Sequence, residues 1–314
     1  MNEVIVEILL ATYNGEKYLS AQLESILQQS FQDIRILIRD DGSTDSTMSI
    51  IQKFVNNHSS KIRLIPKTET TRGPIHNFSK LITASTAPYL MLSDQDDVWL
   101  PNKIDLLLTR LQHLEQEYSN QLPILVHSDM YVVDQDLHVL GNSFWKYIGV
   151  NPNRKAFANL LIQNNVTGCA AIFNRALADL CGPIPEEAMM HDWWLALIAS
   201  SIGIIDSIDI PTILYRQHNM NTLGAQHFSL KLSYLIEKTR KILSPDKYIL
   251  TDYIQQADSF YSNYEHFLSE TQRDLLNIFR AIQNQNFIER RKTMIQYGFT
   301  KAPLIKNIGL LINI

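Results

Sequence analysis

Short apolar runs alternate with amphipathic helical patterns through the first hundred residues of this 314-residue chain. The runs occupy residues 4–10, 34–38, 62–65 and 89–92, and apolar residues at helical spacing lie between them. Repeated strand–helix–strand units predict an α/β fold, with a mostly parallel sheet and helices on both faces. Ligands of such sheets gather at the carboxyl ends of the strands. The residues that follow each run are therefore the first candidates for a binding site.

The helices and the later strands are predicted from the same spacing rules. Leu19, Leu23 and Ile26 indicate a first helix, and Ser43 or Thr44 is expected to cap a second one. Further helices are predicted over residues 77–84, from residue 101 onward and over 191–200. Shorter strands are predicted over residues 124–126, 169–173 and 212–215.

Two of the apolar runs end in aspartates. Asp40 and Asp41 follow the second run, and Asp94, Asp96 and Asp97 follow the fourth. So much negative charge at one sheet edge is costly unless a cation or hydrogen-bond donors compensate it. Carboxylates two residues apart, such as Asp94 and Asp96, can surround a divalent ion whose other positions take phosphate oxygens and water. The pattern predicts a site for a metal-bound phosphate compound; the alternative is a solvated acidic turn before a helix.

Polar residues near the first three runs are candidates for contacts with a nucleotide. The Asp41 carboxylate can accept a hydrogen bond from a base N–H or a ribose hydroxyl, or it can form a turn and a helix cap. Tyr13, beside Asn14 in the loop after the first run, can offer an aromatic face to a nucleobase, or it can pack half-buried. Asn77 can contact a sugar or a phosphate, or it can cap its own helix.

The sequence His191-Asp192-Trp193-Trp194 opens a predicted helix. An aspartate at a helix start stays ionised more easily, and it can act as a general base beside a sugar. The indoles of Trp193 and Trp194 would then stack on the apolar face of an acceptor pyranose. The alternative is an N-capping aspartate followed by two buried tryptophans.

Arg216 and His218 end the last predicted strand. An arginine at this sheet edge can contact a diphosphate, and the imidazole can serve as a further metal ligand. A single histidine outside a ligand motif is more often structural, so both interpretations of His218 remain open.

Five motifs in a fixed order give the chain a family resemblance. A strand with ATYNG, then RDDGSTD, SDQDDVW, HDWW and YRQH together resemble an inverting family 2 glycosyltransferase of the GT-A fold, over residues 3–225. The last three motifs are especially similar to bacterial rhamnosyltransferase-like members. The resemblance implies a mixed sheet and inverting transfer of a hexose, such as rhamnose from dTDP-rhamnose, to a saccharide acceptor. It also implies a place in bacterial cell-surface polysaccharide biosynthesis.

The resemblance further implies a role for each motif residue. Ala11, Tyr13 and Asp41 would border the nucleotide, and Asp94 would contact the nucleotide sugar. Asp96 would hold a divalent cation, Mg²⁺ or Mn²⁺.

The catalytic and second metal positions follow from the later motifs. Asp192 would be the base that deprotonates the acceptor hydroxyl, and His218 a further metal ligand. Ala11 stands where some members have threonine, so a side-chain hydrogen bond to the nucleotide is missing there. Arg72 is a candidate for the family's basic nucleotide contact.

Other protein classes explain less of the sequence. A nucleotidyltransferase shares the sheet and the metal chemistry, but it calls for a glycine-rich loop after the first strand. A carbohydrate-binding module explains the tryptophans without the acidic strand ends. A phosphate-accepting receiver domain leaves HDWW and YRQH unexplained.

Composition and charge bound the partners and the compartment. The net charge of −4 does not indicate the basic surface that nucleic-acid binding needs. Two cysteines without a framework favour a reducing compartment, and the N-terminus lacks the basic start of a secretory signal. We therefore expect a cytoplasmic protein, with peripheral contact at the inner face of the membrane as an option.

The charge changes sign in the last third of the chain. We divide it into a glycosyltransferase domain, 1–225, and a helical C-terminal region, 226–314, which has 12 Lys and Arg against 8 Asp and Glu. This region ends in an apolar, lysine-spaced segment, 300–314, that can lie on anionic lipid or pack on the core. The acceptor implied for such an enzyme is a lipid-linked saccharide.

Overall fold

The computed structural model describes residues 4–70, 73–218, 250–303 and 305–313. In these ranges a mixed sheet of nine strands is flanked by helices. The strands are β1 (Val6–Thr12), β2 (Ile34–Asp40), β3 (Ile62–Leu64), β4 (Tyr89–Ser93), β5 (Val98–Trp99), β6 (Ile124–Val133), β7 (Val139–Gly141), β8 (Ala171–Asn174) and β9 (Ile204–Arg216). Their order is β3-β2-β1-β4-β8-β6-β9-β5, and β7 pairs with β6.

The described helices lie on both faces of this sheet and continue beyond it. They are α1 (Leu19–Leu27), α2 (Thr47–Asn57), α3 (Pro74–Ala84), α4 (Lys103–Glu117), α5 (Phe144–Ile148), α6 (Phe157–Leu160), α7 (Arg175–Cys181), α8 (His191–Ile202), α9 (Thr251–Tyr264), α10 (Glu270–Ala281), α11 (Phe287–Gln296) and α12 (Ile305–Asn313). The predicted α/β class and the helical C-terminal region are confirmed.

The first four strands form the parallel half of the sheet. Strand β1 lies between β2 and β4 and is parallel to both, and β3 continues the parallel set beyond β2. Strand β8 is antiparallel to both β4 and β6. The ends of β1, β2 and β4 therefore meet at one edge, as the sequence predicted for its motifs.

In the second half of the sheet, two strands are longer than predicted. Strand β9 has 13 residues where four were predicted, and β6 has 10 where three were predicted. The two strands pair in parallel along most of their length, with register shifts around Asp129. Asp206, Asp209 and Pro211 interrupt the apolar pattern of β9, so pairing rather than periodicity defines the strand.

Three helix starts also differ from the prediction. Helix α2 begins at Thr47 after Ser46, so neither Ser43 nor Thr44 caps it. Helix α3 begins at Pro74, so Asn77 lies inside the helix and the cap predicted for it is wrong. The helix predicted from residue 101 begins two residues later.

The core lies on both faces of the sheet because alternate strand residues point to opposite sides. In β1, Ile8 and Leu10 pack with α1 and α4, whereas Leu9 packs on the side of α8 and the C-terminal helices. Each large apolar side chain buried in this way contributes about 1.5–3 kcal/mol relative to an exposed one.

The described C-terminal helices share that core with the sheet. Phe260 and Tyr264 of α9 contact the indole of Trp194, and Phe279 of α10 is fully buried. The boundary predicted at residue 225 lies outside the described residues, as do Leu232, Leu235, Ile236 and Leu243, whose spacing in the sequence predicts a helix.

The terminal helix α12 packs on the core. Leu310 is buried and Leu311 contacts the same core, so this helix follows the packing alternative for the chain end. Across the described ranges, no helix has both the length and the apolarity needed to cross a bilayer.

Candidate active site

The acid at the end of β2 organises a turn. The Asp40 carboxylate accepts hydrogen bonds from the backbone N–H of Gly42 at 2.9 Å and of Ser43 at 2.8 Å. The hydroxyls of Thr12 and Ser43 donate to its other oxygen. Gly42 has a φ of +89°, which a residue with a side chain rarely adopts. Asp40 is thus fully engaged within the protein.

Asp41 links the end of β2 to the segment between β3 and α3. Lys67 Nζ lies 2.6 Å from one carboxylate oxygen, and the Gly73 N–H donates to the other at 2.7 Å. Asp41 is buried, so these contacts are protected from water. Arg72, the candidate basic nucleotide contact, lies outside the described residues.

Asn14 and Tyr13 form the loop at the end of β1. Asn14 has a φ of +48°, and its side-chain oxygen accepts a hydrogen bond from the Thr44 N–H at 2.8 Å. Its own N–H donates to the Ser43 hydroxyl. Tyr13 is 49% exposed, which leaves its ring accessible at the sheet edge.

Gln95, between Asp94 and Asp96, fastens the β4 turn to the β1 loop. Its side-chain oxygen accepts from the Tyr13 N–H, and its side-chain nitrogen donates to the Tyr13 carbonyl, both at 2.9 Å. A Cβ on Gly15 would lie 2.3 Å from the Gln95 oxygen. Gly15 therefore allows the close approach that aligns the two loops.

The acids after β4 are much less compensated than those after β2. Burial, together with the charges of Asp96 and Asp192, raises the pKa of Asp94 to about 7. Asp97 is fully buried, and no described residue gives its second carboxylate oxygen a hydrogen bond. Burial and the neighbouring charges of Asp96 and Asp94 raise the pKa of Asp97 well above its usual range.

A buried cation lies beneath these acids. Lys103 is fully buried, donates to the Cys169 carbonyl and lies over the Trp99 ring at 3.3 Å from its centroid. Burial lowers the pKa of Lys103 to about 7, while the charges of Asp97 and Asp94 act in the opposite direction.

One side-chain cluster here has the spacing of a metal site. The Cys169 thiol and oxygens of Asp94 and Asp97 lie within 4.8 Å of one another. Burial raises the pKa of Cys169 well above its usual range, so the thiol is protonated. A neutral thiol is a poor ligand for a hard cation such as Mg²⁺. We therefore regard the cluster as the buried support of the site.

Asp96 and His218 form a pair at the open side of the turn. Asp96 Oδ2 and His218 Nε2 are 2.9 Å apart, and both side chains retain some exposure. Tyr18 stacks on the His218 ring with centroids 4.8 Å apart, and the Arg216 guanidinium lies 4.5 Å from the Tyr18 ring. The pair that was predicted to hold a cation is thus brought together, with Tyr18 orienting the imidazole.

Arg216 connects β9 to the acidic turn. Its N–H donates to Asp97 at 3.1 Å, and its guanidinium donates to the backbone carbonyls of Asp96 and Gln135. Arg216 is only 4% exposed. These contacts fix the turn, and the diphosphate contact predicted for Arg216 stays a prediction.

Asp192 lies at the second position of α8, after Met190 as the N-cap. One carboxylate oxygen accepts from the Gly168 N–H at 2.9 Å, and the other from Asn164 Nδ2 at 3.1 Å. Burial raises the pKa of Asp192 to about 6, and these hydrogen bonds act in the opposite direction. A carboxylate with a pKa in this range suits a general base near neutral pH.

Asp192 shares the sheet edge with the acids after β4. Its charge contributes to the raised pKa of Asp94. A Cβ on Gly168 would lie 3.3 Å from both Asp192 Cβ and a Leu92 methyl group at the end of β4. Residues about a hundred positions apart in the sequence therefore meet in one site.

The stacking predicted for the two tryptophans is wrong. Trp194 is fully buried against Phe260 and Tyr264 of α9. Trp193 is 9% exposed, and its indole N–H donates to the Leu160 carbonyl at 2.6 Å. Both indoles anchor α8 in the core, so neither presents a free face to an acceptor sugar.

Asn77 and Ala11, two further candidates for nucleotide-sugar contacts, are engaged with other parts of the protein. Asn77 is buried, and its side chain accepts from the Arg39 guanidinium at 2.7 Å and donates to the Arg39 carbonyl. Ala11, near the end of β1, packs partly buried against the core. Their contacts with a nucleotide sugar stay predictions.

Sequence reasoning missed four residues that shape the site: Tyr18, Gln95, Lys103 and Asn164. Gln95 carried a usable signal because it stands inside the Asp-x-Asp pattern. Lys103 and Asn164 carried none, since a lysine at a helix start and an asparagine in a loop are common on protein surfaces.

Comparison with known proteins gives the family and the fold. The family model described as glycosyl transferase family 2 matches residues 7–181, more than half of the chain. The chain is 29% identical over 244 residues to a dTDP-rhamnosyl transferase, RfbG, of Shigella flexneri, covering 72% of this chain and 76% of the relative. This match favours the glycosyltransferase interpretation over the nucleotidyltransferase and binding-module alternatives.

A second relative and a solved structure extend the likeness. Over 208 residues the chain is 26% identical to the Escherichia coli enzyme WfgD, a UDP-Glc:alpha-D-GlcNAc-diphosphoundecaprenol beta-1,3-glucosyltransferase, covering 66% of this chain and 75% of the relative. The structure of S. aureus TarS 1–349 with UDP-GlcNAc aligns with a TM-score of 0.55 at 16% identity, covering 98% of this chain and 90% of that one. The likeness to TarS confirms the predicted GT-A type of fold.

Proposed function

The chain belongs to glycosyl transferase family 2, and from that premise we propose that it transfers a hexosyl group from a nucleotide sugar to a saccharide hydroxyl with inversion. The observation that carries this proposal is the position of Asp192. It is a partly accessible carboxylate with a pKa of about 6, held by two hydrogen bonds beside the acids after β4.

The donor would bind along the ends of β1, β2 and β4. The accessible ring of Tyr13 would face the nucleobase, with Asn14 and Asp41 shaping its pocket. Asp94 would contact the sugar through its carboxyl group.

Asp96 and His218 would hold a divalent cation. A carboxylate oxygen and an imidazole nitrogen 2.9 Å apart, beside the further acids Asp94 and Asp97, fit Mn²⁺ or Mg²⁺. Such an ion, when bound, would neutralise charge on the departing diphosphate.

In the reaction, Asp192 accepts the proton of the acceptor hydroxyl as that oxygen attacks the anomeric carbon. A new carbon–oxygen bond forms on the face opposite the diphosphate. The old bond breaks, and its electron pair leaves with the nucleoside diphosphate. Asn164 and the Gly168 N–H keep the base directed at the acceptor.

The identities of donor and acceptor are narrower proposals. The likeness to a named dTDP-rhamnosyl transferase supports dTDP-rhamnose as the donor. The named acceptor of the E. coli relative is a diphosphoundecaprenol-linked sugar, which supports a lipid-linked saccharide acceptor. We place the enzyme in bacterial cell-surface polysaccharide biosynthesis, in the cytoplasm and peripheral at the inner face of the membrane.

The test replaces the base without changing its size. In Asp192→Asn, turnover of the best donor from a panel of dTDP-, UDP- and GDP-sugars should fall by about 10²–10⁴-fold. Donor affinity should stay within a few-fold of wild type. Wild-type turnover in this variant would refute the role of Asp192, and absence of transfer from every donor would refute the proposed activity.

A further inference from the structure

We propose that the exposed face of helix α11 docks the protein onto an anionic phospholipid bilayer. The face consists of Phe287, Ile288, Arg291, Lys292 and Ile295, and is called here the α11 face. The inference rests on the proposed function only in that a lipid-linked acceptor would make such docking useful. The evidence for the α11 face itself is independent of that function.

The apolar members of the α11 face are unusually exposed for their size. Phe287 is 64% exposed, Ile288 63% and Ile295 62%. Large apolar side chains clustered on one surface mark an interaction site, whereas single exposed ones do not. At 3.6 residues per turn, the five positions fall within about 140° of one another around the helix axis. Met294, outside that arc, is fully buried and holds the helix on the core.

The charged members of the α11 face select the partner. Arg291 and Lys292 stand between the apolar positions, and Arg291 lies over the Phe287 ring at 3.2 Å from its centroid. Glu289, the acidic residue of α11, lies on another side of the helix. Interleaved bulky apolar and basic side chains match a bilayer, where acyl chains take the former and anionic headgroups the latter.

The position of α11 suits an acceptor held in the same membrane. The chain that follows α11 binds the segment before Asn164: Asn159 Nδ2 donates to the Gly298 carbonyl at 2.9 Å, and Gln163 Nε2 to the Ala302 carbonyl at 3.0 Å. Asn164 in turn holds Asp192. Docking through α11 would thus fix the distance between the membrane and the catalytic base.

The sequence suggested the end of the chain, residues 300–314, as a membrane contact. We propose the α11 face in its place. In α12, Leu310 is buried, and Lys306 donates to the carbonyls of Ile148 and Gly149. These groups are used inside the protein, whereas the apolar side chains of the α11 face are available.

Vesicle sedimentation of the full chain tests the proposal. Wild type should bind vesicles of phosphatidylcholine with phosphatidylglycerol, and should bind pure phosphatidylcholine more weakly. The triple variant F287S/I288S/I295S should lower the partition coefficient by about tenfold or more. The double variant R291Q/K292Q should remove the preference for anionic vesicles.

A matched control changes exposed apolar residues elsewhere. Val139 and Leu140 on β7 are 53% and 52% exposed, so V139S/L140S removes exposed apolar side chains away from α11 and should leave vesicle binding unchanged. Circular dichroism and hydrolysis of a soluble donor should be unchanged in the triple variant.

Three outcomes would overturn the proposal. They are no binding of wild type to either vesicle, wild-type binding by the triple variant, and a triple variant that only converts a dimer to a monomer in ultracentrifugation. Vesicle binding without any sugar transfer would instead contradict the proposed function alone, so the two failures are distinguishable.

Discussion

The two acidic strand ends look alike in sequence but differ in how their charge is compensated. After β2, Asp40 and Asp41 accept hydrogen bonds from backbone groups, hydroxyls and Lys67. After β4, burial raises the pKa values of Asp94 and Asp97, and one Asp97 oxygen has no donor among the described residues. Compensated acids build the loops, and uncompensated acids are the ones that gain from binding a cation.

Replacing Asp40 gives the strongest test of this difference between the two strand ends. In Asp40→Ala, the hydrogen bonds from Thr12, Gly42 and Ser43 are lost, and hydrogen bonds to charged groups are individually strong. We expect unfolding free energy to fall by about 2–4 kcal/mol, measured by urea denaturation. Asp96→Ala serves as the control and should change stability much less, because it removes one charge from an overcrowded site. Equal losses in the two variants would contradict the comparison.

The pH dependence of turnover tests the base that lies beside the acids after β4. Because burial raises the pKa of Asp192 to about 6, the carboxylate is ionised above that pH and protonated below it. Only the ionised form accepts a proton, so kcat/KM should fall about tenfold per pH unit below about 6. The measurement is initial rates from pH 5 to pH 8 with the donor saturating and the acceptor well below its KM, and a flat acid limb would contradict the assignment of the base.

The smallest expected effect comes from Asn164→Ala. This change removes a donor that favours the charged form of Asp192, so the midpoint of the acid limb should rise by up to about one pH unit. Rates at pH 8 should remain close to wild type. Asn159→Ala is a matched control, because Asn159 lies in the same segment but donates to Gly298 instead. A uniform loss at all pH values in Asn164→Ala would indicate a purely structural role.

The sequence was enough to predict which edge of the sheet carries the candidate site. The first three motifs each follow an apolar run, and parallel strands bring their carboxyl ends together. Asp192 was predicted as the base because it stands at a helix start in a motif that resembles a known family.

Contacts between segments that are distant in the chain could not be predicted from the sequence. Trp194 was expected at a sugar, but α9 supplies Phe260 and Tyr264 to bury it, and no local pattern links these positions. Lys103 has the sequence context of a surface lysine, yet the packing of Trp99 and Cys169 around it makes it the buried cation of the site. Tertiary packing decided both cases.

The central claim is that the acids after β4 bind a divalent cation together with the donor. Isothermal titration calorimetry of the best nucleotide sugar tests it most directly, with Mn²⁺ and then with EDTA. We predict that wild type binds the donor tightly only with Mn²⁺, and that Asp96→Ala loses this dependence while remaining folded. Equal donor affinity of wild type with Mn²⁺ and with EDTA would contradict the claim.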